Sequence, residues 1–264
     1  MTTDEMSNRF DQQVNAAYLA MQQGNPANGL AAFSFDEYEK SLFLTEAQNI
    51  YVLQCYNGGL TGNSFEKSEE SRKAIDVLLK SNRITERSNV DYHNIMLTSH
   101  EQGSKIYRLA DDVWFVVYEA VTLHKCSCQG QCTCSKSMLA KSKTWNCEVV
   151  PVTYDQFARI SRNPFRCANK RRCLRLDVRR TVDLTEKVGR YVEIVSKYPI
   201  REYYYKYLRK PKPIILVNLG GTGLEIEGET SPMGCELQES VHQSIVDAAV
   251  QLALRTRLGN NKTT

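Results

Sequence analysis

The sequence predicts an α+β fold: an N-terminal helix pair and a long C-terminal helix packed together, with an inserted antiparallel β module of about six or seven strands. Three observations carry this. Apolar residues recur at helical spacing through residues 34–80 and again through 235–258. They alternate with period two over most of 105–228. Helices and strands also come in runs rather than in alternation, which separates α+β from α/β. The matching division is an N-terminal arm at 1–33, a helical region at 34–98, a β module at 99–232 with a Cys-rich loop at 124–147, the C-terminal helix at 233–258 and a tail at 259–264.

Residues 1–33 read as a loosely ordered arm or one that orders on a partner. Val14, Tyr18 and Met21 share a short helical face, and Gly24, Asn25, Pro26, Asn28 and Gly29 then break it. The first helix of the pair starts near Ser34, which has capping-box spacing with Glu37; Thr45 and Gln48 repeat that spacing. Leu44, Ala47, Tyr51, Leu53, Cys55 and Tyr56 give it a mostly buried surface, and Asn57, Gly58 and Gly59 stop it. The second helix covers 64–81, with Glu66, Glu69 and Glu70 in the early turns where the macrodipole favours carboxylates. The short glycine link between the two predicts an antiparallel pair.

"KIYRL", "VWFVVYEAVTL", a segment near Trp145, "CLRLDV", "RYVEIVS", "REYYYKYL" and "PIILVNL" read as strands, with a short last one at "LEIEG". Thr153 caps a short helix, "TYDQFARIS". In the C-terminal helix Leu237, Val241, Ile245, Ala248 and Leu252 keep one face, and Val246, Ala249, Val250 and Ala253 widen it beyond what one contact within the chain needs. Glu236 and Glu239 open it, Arg255 and Arg257 close it, and Gly259 stops it.

With 42% hydrophobic and 24% charged residues, the 264-residue chain has a globular composition, and disordered and collagen-like classes are excluded. A net charge of +4 does not by itself select a nucleic-acid partner. No segment approaches the ~18 apolar residues of a membrane helix. The N-terminus lacks the basic and apolar regions of a signal peptide, so the nine cysteines begin as thiols in a reducing cytoplasm.

No phosphate loop, dinucleotide fingerprint, zinc-protease helix or nucleophile elbow is present. The glycines of "NLGGTGLEIEGE" lie between two short strands and read as a hairpin turn. His93, His100, His124 and His242 form no paired motif. The chain therefore reads as a non-enzyme.

Two stretches stand out. "CSCQGQCTC" places Cys126, Cys128, Cys132 and Cys134 in nine positions, with His124 just before them. Zinc held by four thiolates, disulfides formed after cell lysis and free thiols all remain open; the C-x-C-x3-C-x-C spacing is tight for a single zinc. Cys55, Cys147, Cys167, Cys173 and Cys235 are scattered and read as small packing residues. The second stretch runs from Arg159 to Arg180 and carries one acid, Asp177, among many cations. Arg166, Lys170, Arg171, Arg172 and Arg175 are candidate contacts, either to a neighbouring subunit or to DNA. In "REYYYKYLRKPKP", period two sets Tyr203, Tyr205 and Tyr207 on one face and Tyr204, Lys206 and Leu208 on the other. Such tyrosines serve either as a platform for single-stranded bases or as the inner face of a half-buried strand.

"FSFDEYEKSLFLTEAQNIYVLQCYNG", "SFEKSEESRKAIDVLL", "VVPVTYDQFARISRNPFRCANKRRCLRLD", "VEIVSKYPIREYYYKYLRKPKPIILVNL" and "CELQESVHQSIVDAAVQLAL" follow in this order. Together, over about 33–256, they resemble the neck ring proteins of crAss-like and other Bacteroides-infecting tailed phages. The resemblance implies a structural virion protein, made in the host cytoplasm, that forms a homo-oligomeric ring in the head–tail connector. Its implied partners are itself, the portal protein, other neck or tail proteins and genomic DNA in the lumen, bound without sequence specificity; no membrane is involved. More distantly, helices flanking an inserted β module look like the adaptor proteins of short-tailed phages, which implies a ring of about twelve subunits. The cysteine stretch is not among the segments that carry the resemblance. The rival reading, from another class, is a small zinc-binding nucleic-acid-binding module.

Overall fold

Met6, Phe10, Val14 and Tyr18 recur every fourth position, and all four are buried. They form the inner stripe of helix α1 (Thr3–Gln22), in a computed structural model that describes residues 1–22, 34–58, 67–86, 97–98, 103–125, 143–178 and 189–260. Thr2 and Glu5 cap it reciprocally: Glu5 N donates to Thr2 Oγ1 at 3.3 Å and Thr2 N to Glu5 Oε2 at 3.0 Å. The expected loose arm is corrected over these residues. The stripe starts at Met6 and Phe10, upstream of the short Val14 and Tyr18 face seen in the sequence, so it is long enough to pack before the breakers at 24–29 are reached.

The chain divides into two units, Met1–Leu78 with Lys210–Thr264, and Leu79–Arg209. In the first, α1 packs with α2 (Glu37–Asn57) and α5 (His242–Asn260). The wide apolar face of α5 is thereby largely used within the chain: Ile245, Val246, Ala249, Val250 and Ala253 are buried. Helix α2 is capped by Asp36 with Glu39, two residues beyond the expected Ser34–Glu37 pair. Gly58 ends it in the left-handed region at φ 74°. Lys40 on α2 is buried, and its Nζ donates to Asp11 Oδ2 at 2.6 Å, Glu37 Oε1 at 2.9 Å and Ser7 Oγ at 3.2 Å, which ties α2 to α1.

"PIILVNL" at 213–219 does not form the expected strand, because α2 takes backbone groups of 212–216. Ile214 N donates to Thr45 Oγ1 at 3.0 Å, Leu216 N to Ser41 Oγ at 3.0 Å, and Gln48 Nε2 to the Lys212 carbonyl at 2.8 Å. One antiparallel bridge remains, Ile215 with Met233. "LEIEG" is likewise a turn closed by the Ile226–Glu229 bridge.

Helix α3 (Glu69–Ile75) is shorter than expected. A 3₁₀ turn at Asp76–Leu78 leads into β1 (Leu79–Thr85), which pairs with β7 (Ile200–Arg209) in register Leu79↔Leu208. This long-range pairing overrides the helical period of the local sequence. The second unit is a sheet of order β1-β7-β3-β4-β5-β6-β2, completed by β2 (Lys105–Arg108), β3 (Val113–Lys125), β4 (Lys143–Pro151), β5 (Arg172–Val178) and β6 (Tyr191–Val195). Seven strands agree with the expectation, but the sheet is mixed rather than antiparallel: β4 and β5 run parallel, with Glu148↔Arg172 in register. Parallel neighbours need a crossover, and residues 152–171 with α4 (Tyr154–Ile160) supply it.

One face of the sheet buries Tyr107, Val121, Leu123, Cys147, Cys173, Val192 and Ile194 with Tyr203, Tyr205 and Tyr207. The alternation expected for β7 is present, and it points the tyrosines inward. Their rings follow one another at 5.2 and 5.5 Å. Their hydroxyls are satisfied inside: Tyr203 donates to Glu119, Tyr207 donates to Asp112 at 2.9 Å, and Tyr205 accepts from Asn82 Nδ2 and Ala110 N. Rings used this way are closed to base stacking. The other face buries Leu174, Leu176 and Val195 under α4. Among the described residues no helix is long and apolar enough to cross a membrane.

Candidate contact surface on the β4–β5 crossover

The crossover is a short helix followed by a structured loop. Thr153 caps α4 as the sequence indicates, with Gln156 N donating to Thr153 Oγ1 at 3.3 Å and Thr153 N to Gln156 Oε1 at 3.4 Å. Phe157 and Ile160 turn inward onto Ala168, Leu174, Leu176 and Val195, so the outer side of α4 carries its polar residues. The chain then reverses on two asparagines. Asn163 Oδ1 accepts from Phe165 N at 3.0 Å, and the Asn163 carbonyl accepts from Arg166 N at 3.1 Å and Cys167 N at 2.9 Å. Asn169 Oδ1 accepts from Arg171 N at 2.8 Å and Arg172 N at 3.1 Å. Trp145 on β4 donates its indole N–H to the Lys170 carbonyl at 2.7 Å. The loop backbone is therefore fixed by the side chains of Asn163, Asn169 and Trp145.

The side chains this backbone presents are cationic and aromatic. Arg166, Lys170 and Arg171 are exposed, Arg172 is half-buried, and none forms an ion pair among the described residues. Arg162 is exposed in the same way. Arg159 pairs with Asp155 at 3.2 Å across one helical turn, but both side chains are solvated, so the pair contributes little. Phe165 stands among these cations with 88% of its surface in water. The sequence signal for it was "SRNPFR": an Asn-Pro turn that pushes an apolar residue outward between arginines. The cation cluster alone did not reveal it.

Arg175 separates from the group. Its guanidinium bonds Glu119 Oε2 at 2.7 Å, and its Nε lies 3.5 Å from Asp177 Oδ1. Its charge is engaged inside the sheet unit. Cys126, Cys128, Cys132 and Cys134 lie outside the described residues. Among the described residues no group of three or more metal-ligating side chains comes together. Cys147 and Cys173, read as packing residues, are buried with their sulfurs 3.4 Å apart across β4 and β5. The polar clusters around Lys40 and Glu119 are internally paired, which is the chemistry of a scaffold.

Comparisons with known proteins agree with that reading. The family described as phage tail ring protein 3/4 matches residues 1–264. Ring protein 3 of Bacteroides phage crAss001 is 32% identical over 270 aligned positions, covering 99% of this chain and 100% of the relative. Ring protein 4/5 of the same phage is 27% identical over 260 positions, covering 96% of this chain and 92% of the relative. A scaffold of paired interior charges and a full-length match converge on one assignment: the chain belongs to the phage tail ring protein 3/4 family, a structural component of the virion rather than an enzyme.

Proposed function

We propose that this chain assembles with copies of itself into a closed ring in the phage neck, attached to the portal or to an adjacent ring, with the genome passing through the lumen. The observation that carries the reading is the crossover loop of Asn163–Arg172. A backbone fixed by Asn163, Asn169 and Trp145 holds Phe165 and several free cations in water. A stable monomer gains nothing from such a surface, whereas an assembly covers it. Arg166, Lys170, Arg171 and Arg172 serve this contact, while Arg175 supports the sheet beneath it.

Imaging of the purified protein by negative-stain electron microscopy, alone and with portal protein, tests this. Rings of about twelve subunits in either sample are the expected result. A monomer in both, with no binding to portal, overturns it.

A further inference from the structure

The ring reading leaves open which surfaces meet. We propose that the Phe165 loop of one copy docks onto the acidic turn at 217–229 of the next copy. The inference rests on the ring reading and specifies its subunit contact.

The loop side has been described: an apolar tip on a fixed backbone, flanked by Arg166 and Arg171. A second surface in the other unit of the chain has the complementary character. Leu224 and Val217 are 42% and 41% exposed, and Glu225, Glu227 and Glu229 follow Leu224 at alternate positions. This segment also has a fixed backbone. Leu219 N donates to the Thr230 carbonyl at 2.8 Å, Thr222 Oγ1 to the Leu219 carbonyl at 2.8 Å, and Ile226 and Glu229 exchange two bonds of 3.0 Å. Gly223 and Gly228 take the left-handed turns at φ 72° and 83°. Glu227 pairs with Lys210 at 2.5 Å, whereas Glu225 and Glu229 have no cation among the described residues.

Each surface is thus a preformed loop with an exposed apolar residue and charge of one sign. Neither complements itself: two Phe165 loops would bring arginines together, and two acidic turns would bring carboxylates together. They complement each other, and we take the contact as heterologous, each copy giving its loop to one neighbour and receiving the loop of the other on its turn. A heterologous contact repeats from copy to copy and closes by rotation, as a ring requires. Phe165 also favours protein over DNA as the occupant, because phosphate contacts use the cations and leave an apolar tip uncovered.

The test uses full-length protein under the conditions in which wild type forms rings, with or without portal. Arg166→Glu with Arg171→Glu, and separately Glu225→Lys with Glu229→Lys, are each expected to lower the ring fraction at least about tenfold by placing like charges in contact. Mixing the two variants is expected to restore rings, since alternating copies recover complementary contacts, and this rescue also shows that both variants fold. If wild type forms rings and either variant still does so, this contact is overturned while the ring reading stands. Loss of rings without rescue in the mixture also overturns the contact. Rings that persist in Arg166→Glu/Arg171→Glu but lose salt-sensitive binding of random duplex DNA would assign the loop to the genome instead. Absence of rings for wild type, with and without portal, sinks the ring reading itself.

Discussion

Arg175 on β5 donates from Nη1 to Oε2 of Glu119 on β3 at 2.7 Å, joining two strands that are not neighbours in the sheet. The two side chains are 11% and 4% exposed, and Tyr203 donates to the other Glu119 oxygen. Burial pushes the Glu119 carboxyl above its usual range, against the lowering by Arg175 and by the Tyr203 hydroxyl. Arg175 and the Tyr203 hydroxyl both favour the charged form of this carboxyl, and burial opposes it. Arg175→Met should leave that charge without its cation and destabilise the protein by about 3–5 kcal/mol. Glu119→Gln keeps the Tyr203 contact in altered form and should cost less, about 1–3 kcal/mol. Urea melts compare the two; a loss under about 1 kcal/mol for Arg175→Met would show that the pair is not structural.

Lys40 is the corresponding link in the helical unit. Burial lowers its pKa, but the bonds to Asp11 and Glu37 outweigh that and hold it above 10.5. A raised lysine pKa contributes stability that is present below the ordinary value and lost only as pH rises through the folded one. The contribution is therefore complete at neutral pH. Asp11 and Glu37 are partly solvated, so Lys40→Ala does not strand them, and the expected cost is about 1–3 kcal/mol. Hydrogen exchange should show α1 amides losing protection first. Uniform loss of protection across α1, α2 and α5 would contradict the link.

Asp112 gives a pH signature. Burial raises its pKa, but bonds from Lys80 at 2.8 Å and the Tyr207 hydroxyl at 2.9 Å prevail and hold the carboxyl below 3.8. A depressed carboxylate pKa contributes stability that is present above the ordinary value and lost as pH falls through the folded value. Lys80 and Asp112 are both substantially exposed, so the contribution is small, about 1 kcal/mol or less. Asp112→Asn should be less stable than wild type near neutral pH and approach it once the pH falls below the folded value. An unchanged gap in strong acid would refute the assignment.

The zinc reading of Cys126, Cys128, Cys132 and Cys134 predicts about one zinc per chain in protein purified under reducing conditions. A content below about a tenth of that removes it. Thiol titration before and after exposure to air then separates disulfides from free cysteines.

Much of the fold was legible because it depends on local periods. The buried Ile245, Val246, Ala249, Val250 and Ala253 of α5, the Thr153 cap of α4 and the inward Tyr203, Tyr205 and Tyr207 of β7 follow from spacing 3.6 and spacing 2, although Ala248 and Leu252 of the expected α5 face are only half-buried. The errors have a common cause. "LLKSNRIT" continues a helical pattern, yet its later part pairs with β7 more than a hundred residues away, and that pairing decides its state. "PIILVNL" has strand composition, but Ser41 and Thr45 of α2 take its backbone groups, and Gln48 takes the Lys212 carbonyl just before it. The parallel β4–β5 pair was hidden for the same reason, because strand direction depends on which neighbour a strand meets.

The basic segment shows the same division at the candidate site. Sequence alone located the cations between Arg159 and Arg180 and set the family expectation, since composition and ordered segments are properties of the chain. It could not separate Arg166, Lys170 and Arg171 from Arg175. Strand alternation and the crossover turn placed the first three in water and put the last beside Glu119. Neither partner choice nor burial is a local property: an arginine's role depends on whether a carboxylate distant in sequence is brought within hydrogen-bonding reach, and only the packed sheet decides that.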